Sequence, residues 1–186
     1  MTVLAPADEE ELRLMTRTAC AFDGPCSIRY PKSAVSLPEG YSVSSFEIGK
    51  WLTLREGTDA VILAVGSMVA TALRVAEALA QDGISLTVVN ASTVKPLDME
   101  CLRRVFEMER PIFTLEEHVR MAGFGSSVLE AASEMGFQPR VKLLAVDDYF
   151  VPHGDHAHLL RDTGLDDESV IRTIRTELNR EESTNV

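Results

Sequence analysis

The stretch DAVILAVGS, residues 59–67, decides the fold. From Ala60 to Val65 every residue is apolar. The run is far short of the roughly 20 residues that a membrane span needs, and it lacks the alternation of a half-exposed strand. A short unbroken apolar run of this kind reads as a strand buried on both faces, which requires a parallel sheet covered by helices. Gly66-Ser67 breaks the run. Val69, Leu73, Ala76 and Leu79 then fall on one face of a helix, and Gly83 closes it. Residues 84–90, ISLTVVN, read as the next strand. Strand, helix and strand in this order make a βαβ unit.

The pattern continues outward in both directions. Downstream, Asp98 caps a short helix with Met99, Leu102 and Phe106 expected inward. Residues 111–116 form a strand, Gly125-Ser126 opens a helix ending at Gly136, and residues 141–146 form the last strand. Two helices, near 155–163 and 167–181, finish the chain. Upstream, residues 47–55 are a candidate strand. The fold class is α/β: a three-layer α/β/α arrangement around a mostly parallel sheet. Residues 33–46 have no helical period and are rich in Ser, Pro and Gly, so they read as a linker with a domain boundary near 46. Before it lie a strand at 3–5, a helix capped by Asp8 with Leu12, Met15, Ala19 and Phe22 on one face, and a strand at 26–30. A lone strand–helix–strand cannot cover both faces of its strands. Residues 1–46 therefore either dock on the following domain or end a larger one, and the second is favoured. This segment is expected to be the first to open.

Composition narrows the function. The 186 residues carry 29 acidic and 18 basic side chains, a net charge of -11, and the last forty residues hold ten acids against four arginines. That balance opposes nucleic acid and anionic membranes as partners. The N-terminus lacks the basic region and apolar core of a secretory signal, and a cytoplasmic location is the expectation. Cys20, Cys26 and Cys101 are odd in number and widely spaced, and read as reduced thiols.

Three groups of residues have the right types for chemistry. In TLEEHVRMAGFGSS, residues 114–127, a strand ends in Glu116, Glu117 and His118 before a glycine turn opens a helix. Free amides there suit an anion, but a lone GxG is weak, and close packing at Gly123 and Gly125 is the plainer reading. The three side chains resemble an acid–base group, yet neighbours on a strand point to opposite faces and are not expected to converge. His153, His156 and His158 with Asp147, Asp148 and Asp155 have metal-ligand types at poor spacing. In GPCSIRYPKS, residues 24–33, Arg29 and Lys32 stand at the carboxyl end of a strand. There they either meet a phosphate or stay as solvated surface charges.

The segments APADEEEL, GPCSIRYPKS, IGKW, AVGSM, VVNASTVKPLD, TLEEHVRMAGFGSSVLE, FVPHG and LLRDTGLDDESVI, in this order, resemble the C-terminal part of 1-deoxy-D-xylulose-5-phosphate synthases, thiamine-diphosphate enzymes of the transketolase superfamily. The resemblance covers nearly the whole chain but only about the last third of such an enzyme. It implies condensation of pyruvate with glyceraldehyde 3-phosphate and loss of CO2, feeding isoprenoid, thiamine and pyridoxal synthesis. It implies that residues 1–46 end a pyrimidine-binding domain and that 47–186 form the C-terminal domain, which chiefly supports a homodimer. The family's Gly-Asp-Gly…Asn motif for Mg²⁺ and diphosphate, and its cofactor-activating glutamate, have no counterpart in this sequence. Thiamine diphosphate and Mg²⁺ are thus expected on a partner portion, and no cofactor and no catalytic residue on this chain alone. Lys32 falls where the family usually has an arginine that binds the acceptor's phosphate, with Arg29 beside it. Further departures are Ser92-Thr93 for Arg-Phe, Ala122 for a first glycine, and Asp147 for a proline. The rival readings are the C-terminal subunit of a split transketolase or 2-oxoacid dehydrogenase β-like enzyme, and a non-catalytic dimerisation or regulatory module.

Overall fold

The computed structural model describes residues 1–32 and 34–184; Ser33, at the start of the expected linker, lies outside them. The strands are β1 (Thr2–Leu4), β2 (Cys26–Ile28), β3 (Leu52–Arg55), β4 (Ala60–Ala64), β5 (Leu86–Asn90), β6 (Thr93–Lys95), β7 (Ile112–Val119) and β8 (Val141–Val146). The helices are α1 (Glu9–Ala21), α2 (Met68–Ala80), α3 (Met99–Glu107), α4 (Phe124–Glu134), α5 (His156–Asp162) and α6 (Asp167–Thr184).

The main sheet has the order β3-β5-β4-β7-β8. All its pairings are parallel except that of the edge strand β3, which is antiparallel to β5. The expected strand at 47–55 is real only from Leu52. All five residues of β4 are buried, as the apolar run requires. Ile62 faces a core formed with Val69, Leu73 and Ala76 of α2 and Val170 and Ile174 of α6. Its neighbours Val61 and Leu63 face the opposite core, with Leu102, Val105 and Phe106 of α3 and Phe124 and Val128 of α4. Successive strand residues thus feed two cores, and each fully buried aliphatic or aromatic side chain contributes about 1.5–3 kcal/mol. This is the three-layer α/β/α fold expected.

In α3, Leu102 and Phe106 point inward as expected, joined by Cys101 and Val105, but Met99 is 41% exposed. Position 99 is the first residue of the helix, and its face has already turned outward. The Asp98 cap holds: one carboxylate oxygen accepts from the Cys101 amide at 2.9 Å. The other accepts from the Trp51 amide at 2.9 Å, fixing the entry to the domain.

Residues 1–32 are not a free appendage. β1 is the middle strand of a small sheet, parallel to β2 and antiparallel to β6. No sequence pattern announces β6, which is only three residues long and runs into Pro96. Leu4, Ala7 and Met15 are completely buried. Glu11 is buried as well, and its carboxylate accepts from the Ala7 amide at 2.6 Å and from Asn90 Nδ2 at 2.9 and 3.0 Å. A bond from the Ala5 amide to the Ser92 carbonyl, 2.9 Å, adds a backbone tie. Residues 1–32 thus pack against the following domain within this chain. Among the described residues no helix is long and apolar enough to cross a membrane.

Candidate functional site

β4 leads through α2 to β5 on one side of it, whereas β7 leads through α4 to β8 on the other. The crossovers diverge between β4 and β7, and open α/β sheets bind ligands at the carboxyl ends of strands at such a point. A crevice of about 210 Å³ lies there, lined by Val65, Gly66 and Ser67 after β4 and by Glu116, Glu117 and His118 of β7. Arg29, Tyr30 and Pro31, after β2, form its opposite wall. The crevice is therefore a seam between residues 1–32 and the main sheet.

Glu116, Glu117 and His118 were expected to splay, yet all three line the crevice. The register of β7 against β8 shifts between Leu115 and Val119, and such a bulge re-aims successive side chains. Their polar atoms have internal tasks. Glu116 is buried and accepts from the Phe124 and Gly125 amides, both at 2.8 Å. It therefore occupies the start of α4, where the sequence suggested an anion seat. Gly123 and Gly125 serve close packing: a Cβ on Gly125 would sit 2.6 Å from Thr114 Oγ1 and from Leu143 Cδ2. α4 itself begins at Phe124, with Gly123 as its cap, one residue before the expected opening. Glu117 accepts from Ser67 Oγ at 3.2 Å and pairs with His156 Nε2 at 2.7 Å.

Burial pushes the Glu116 carboxyl above its usual 4.5, opposed by the two amides and by the charges of His118 and Arg29. A carboxyl whose folded value is raised stabilises the fold fully below its unfolded value, and this contribution is lost as pH rises through the folded value. Glu116→Gln is expected to flatten the decline of unfolding free energy with pH above 4.5, read by urea titrations at a series of pH values. A slope identical to the wild type would show that Glu116 titrates as an exposed acid. Glu11 is raised by burial too and keeps its own share of the slope.

The two cations of GPCSIRYPKS are divided by the structure. Arg29 faces the crevice, whereas Lys32 lines a neighbouring cavity of about 320 Å³ with Pro6, Asp8, Glu9 and Leu12. Tyr30 and Pro31 border both. The two acids beside Lys32 are already engaged: Asp8 caps α1 by accepting from the Glu11 amide at 2.8 Å, and Glu9 pairs with Arg13. Lys32 is thus presented beside the start of α1, where the helix dipole also favours an anion.

The His/Asp group does not assemble. His156 turns to Glu117, and His158 stands 3.6 Å from Asp162 on its own helix. Asp155 caps α5, and Asp147 pairs with Arg120 at 2.9 Å. Among the described residues no group of three or more His, Cys, Asp or Glu side chains is placed to hold a metal ion. Cys20, Cys26 and Cys101 are free thiols.

The sequence pattern of the family described as "Transketolase, C-terminal domain" matches residues 49–170. The chain belongs to that family. Its curated relatives include the 1-deoxy-D-xylulose-5-phosphate synthases of Shouchella clausii, 41% identical over 176 residues, and Pelotomaculum thermopropionicum, 43% identical over 178. Each match takes in 94% of this chain but only 28% of the relative, so the chain spans under a third of their length. Among solved structures it resembles "Split gene transketolase, inactive beta4 tetramer", with a TM-score of 0.85 and 35% identity over 96% of this chain and 57% of that one. Transketolase from Campylobacter jejuni shares the fold, with a TM-score of 0.68 at 17% identity, over 94% of this chain and 26% of that one.

Within this transketolase C-terminal domain chain the departures noted in the sequence have physical consequences. Ala122 sits at φ 55°. That left-handed conformation costs an L-residue about 1–2 kcal/mol, which glycine avoids. Part of the gain is returned because glycine enlarges the unfolded ensemble. Ala122→Gly is expected to raise stability by about 0.5–1 kcal/mol in thermal denaturation. A lower melting temperature would contradict the strain. Thr93 is fully buried; its hydroxyl oxygen accepts from the Gly49 amide at 3.2 Å and its carbonyl from Trp51 Nε1 at 2.9 Å.

Proposed function

We propose that this chain is the C-terminal portion, within a longer polypeptide or as a separate subunit, of a 1-deoxy-D-xylulose-5-phosphate synthase-like transferase. The enzyme condenses pyruvate with glyceraldehyde 3-phosphate and releases CO2, in the cytoplasm, for isoprenoid and thiamine precursors. The observation that carries this reading is the identity of 41–43% to two such synthases across 94% of the chain. In this reading residues 1–46 complete a pyrimidine-binding domain and residues 47–186 are the C-terminal domain of a homodimer.

The chain's own contribution is binding. Lys32 holds the acceptor's phosphate as a point charge at the start of α1, and Arg29 adds positive potential from the adjoining crevice. The described residues do not fit Mg²⁺ and diphosphate: no carboxylate group is clustered for a metal, and Glu116 and Glu117 are committed to internal partners. Thiamine diphosphate and its metal belong to the upstream portion, so this portion alone is inactive.

A second reading is the β subunit of a split transketolase, favoured by the likeness to the split-gene chain, a protein solved as an inactive β4 tetramer. The donor separates the two. Assembled with the upstream portion, a synthase turns over pyruvate, whereas a transketolase uses a ketose phosphate and releases no CO2. Product analysis with each donor in turn decides, and turnover of the ketose alone would overturn the first reading.

A further inference from the structure

The loop that joins β8 to α5 presents large apolar side chains to solvent. Phe150 is fully exposed and Tyr149 is half exposed; Met121, in the adjacent loop after β7, is 67% exposed. Single exposed apolar residues need no explanation, but a group on neighbouring loops marks an interaction surface. The loop is not slack. Arg120 ties the two loops by its ion pair to Asp147 and by its amide to the Val146 carbonyl at 2.8 Å. The Tyr149 amide bonds the Asp147 carbonyl at 2.8 Å. At the far end Asp155 caps α5, and His156 is held by Glu117. A loop anchored at both ends with an aromatic tip in water loses little further entropy on binding.

The surface adjoins the crevice. Glu117, which holds His156, also lines the crevice beside Tyr30, itself 63% exposed. The aromatic tip therefore stands on the rim where the carboxyl ends of β4, β7 and β8 emerge.

We propose that Phe150 and Tyr149 are the anchors by which this domain docks the upstream portion of the enzyme, inserting into an apolar pocket of that portion flanked by basic groups. This deepens the proposed function and rests on it. The matched relatives run well beyond the 28% that this chain represents, so a large body must cover some face of it. The sheet's carboxyl edge, where the crevice lies, is the face a shared site requires. A second copy is the poorer occupant. A two-fold contact of this rim with itself would bring Asp148 and Asp155 of both copies together on chains of net charge -11.

The test co-expresses the chain with the upstream portion of the Shouchella clausii synthase and measures the dissociation constant by sedimentation velocity. The double variant Phe150→Ala with Tyr149→Ala is expected to weaken the complex by roughly 30-fold or more, as for central aromatic anchors. Its thermal midpoint as a free chain stays nearly unchanged, because Phe150 is fully and Tyr149 half exposed. Leu129→Ala, which truncates an exposed side chain on α4, leaves binding intact. Unaltered binding by the double variant overturns the docking surface while the proposed function stands. Loss of self-association alone also overturns it, in favour of a second copy. Failure of the wild-type chain to form the complex overturns both.

Discussion

Glu11→Ala is expected to lower the unfolding free energy by about 3 kcal/mol and to expose the amides of β1 to exchange. The carboxylate joins the β1–α1 turn to the end of β5, accepting from the Ala7 amide and from Asn90 Nδ2 with both of its oxygens. Asn90 is fully buried, and its Oδ1 already lacks a partner. Removing Glu11 leaves a buried N–H and a buried amide group unpaired, at about 1–3 kcal/mol each. Urea titration gives the loss, and native-state amide exchange at Val3 and Leu4 locates it. Glu11→Gln keeps an acceptor and the side-chain volume, so a smaller cost of about 1 kcal/mol is expected. A Glu11→Ala chain as stable as the wild type, with β1 still protected, would mean that the small sheet holds without this tie.

Lys32→Ala is expected to lower kcat/KM for the aldehyde in the assembled enzyme by roughly 10–100-fold, leaving the KM for pyruvate in place. A charge-assisted contact to phosphate is worth about 1.5–3 kcal/mol, which converts to that factor. Lys32→Arg restores a planar fork and is expected to match or exceed the wild type. Arg29→Ala is expected to cost less, because Arg29 faces the crevice with Glu116 and His118 rather than the cavity of Lys32. Equal losses for Arg29→Ala and Lys32→Ala would show that one phosphate spans both cavities.

Much of the architecture was legible because local signals agreed. The apolar run of β4, the Asp8 and Asp98 caps and the glycines of the β7–α4 turn each specify their own neighbourhood, and the structure uses each as its residue type suggests. What escaped notice depends on partners distant in sequence. β6 is three residues long and is a strand only because β1 pairs with it. Glu11 is one of three consecutive acids in the first turn of α1, and only Asn90, 79 residues away, makes it a buried tie. The bulge after Leu115 turns Glu116, Glu117 and His118 towards one crevice, against the two-residue period of a regular strand. Arg29 and Lys32 are three residues apart, but Pro31 and the start of α1 place them in separate cavities.

The proposed role of this chain, one part of a pyruvate-condensing transferase, is open to a single assay: the chain is mixed with an upstream portion carrying the diphosphate- and pyrimidine-binding domains, together with thiamine diphosphate, Mg²⁺, pyruvate and glyceraldehyde 3-phosphate, and CO2 is measured. Release is expected only when both portions and both substrates are present, with a marked fall on Lys32→Ala. A properly formed complex that releases no CO2 would contradict it.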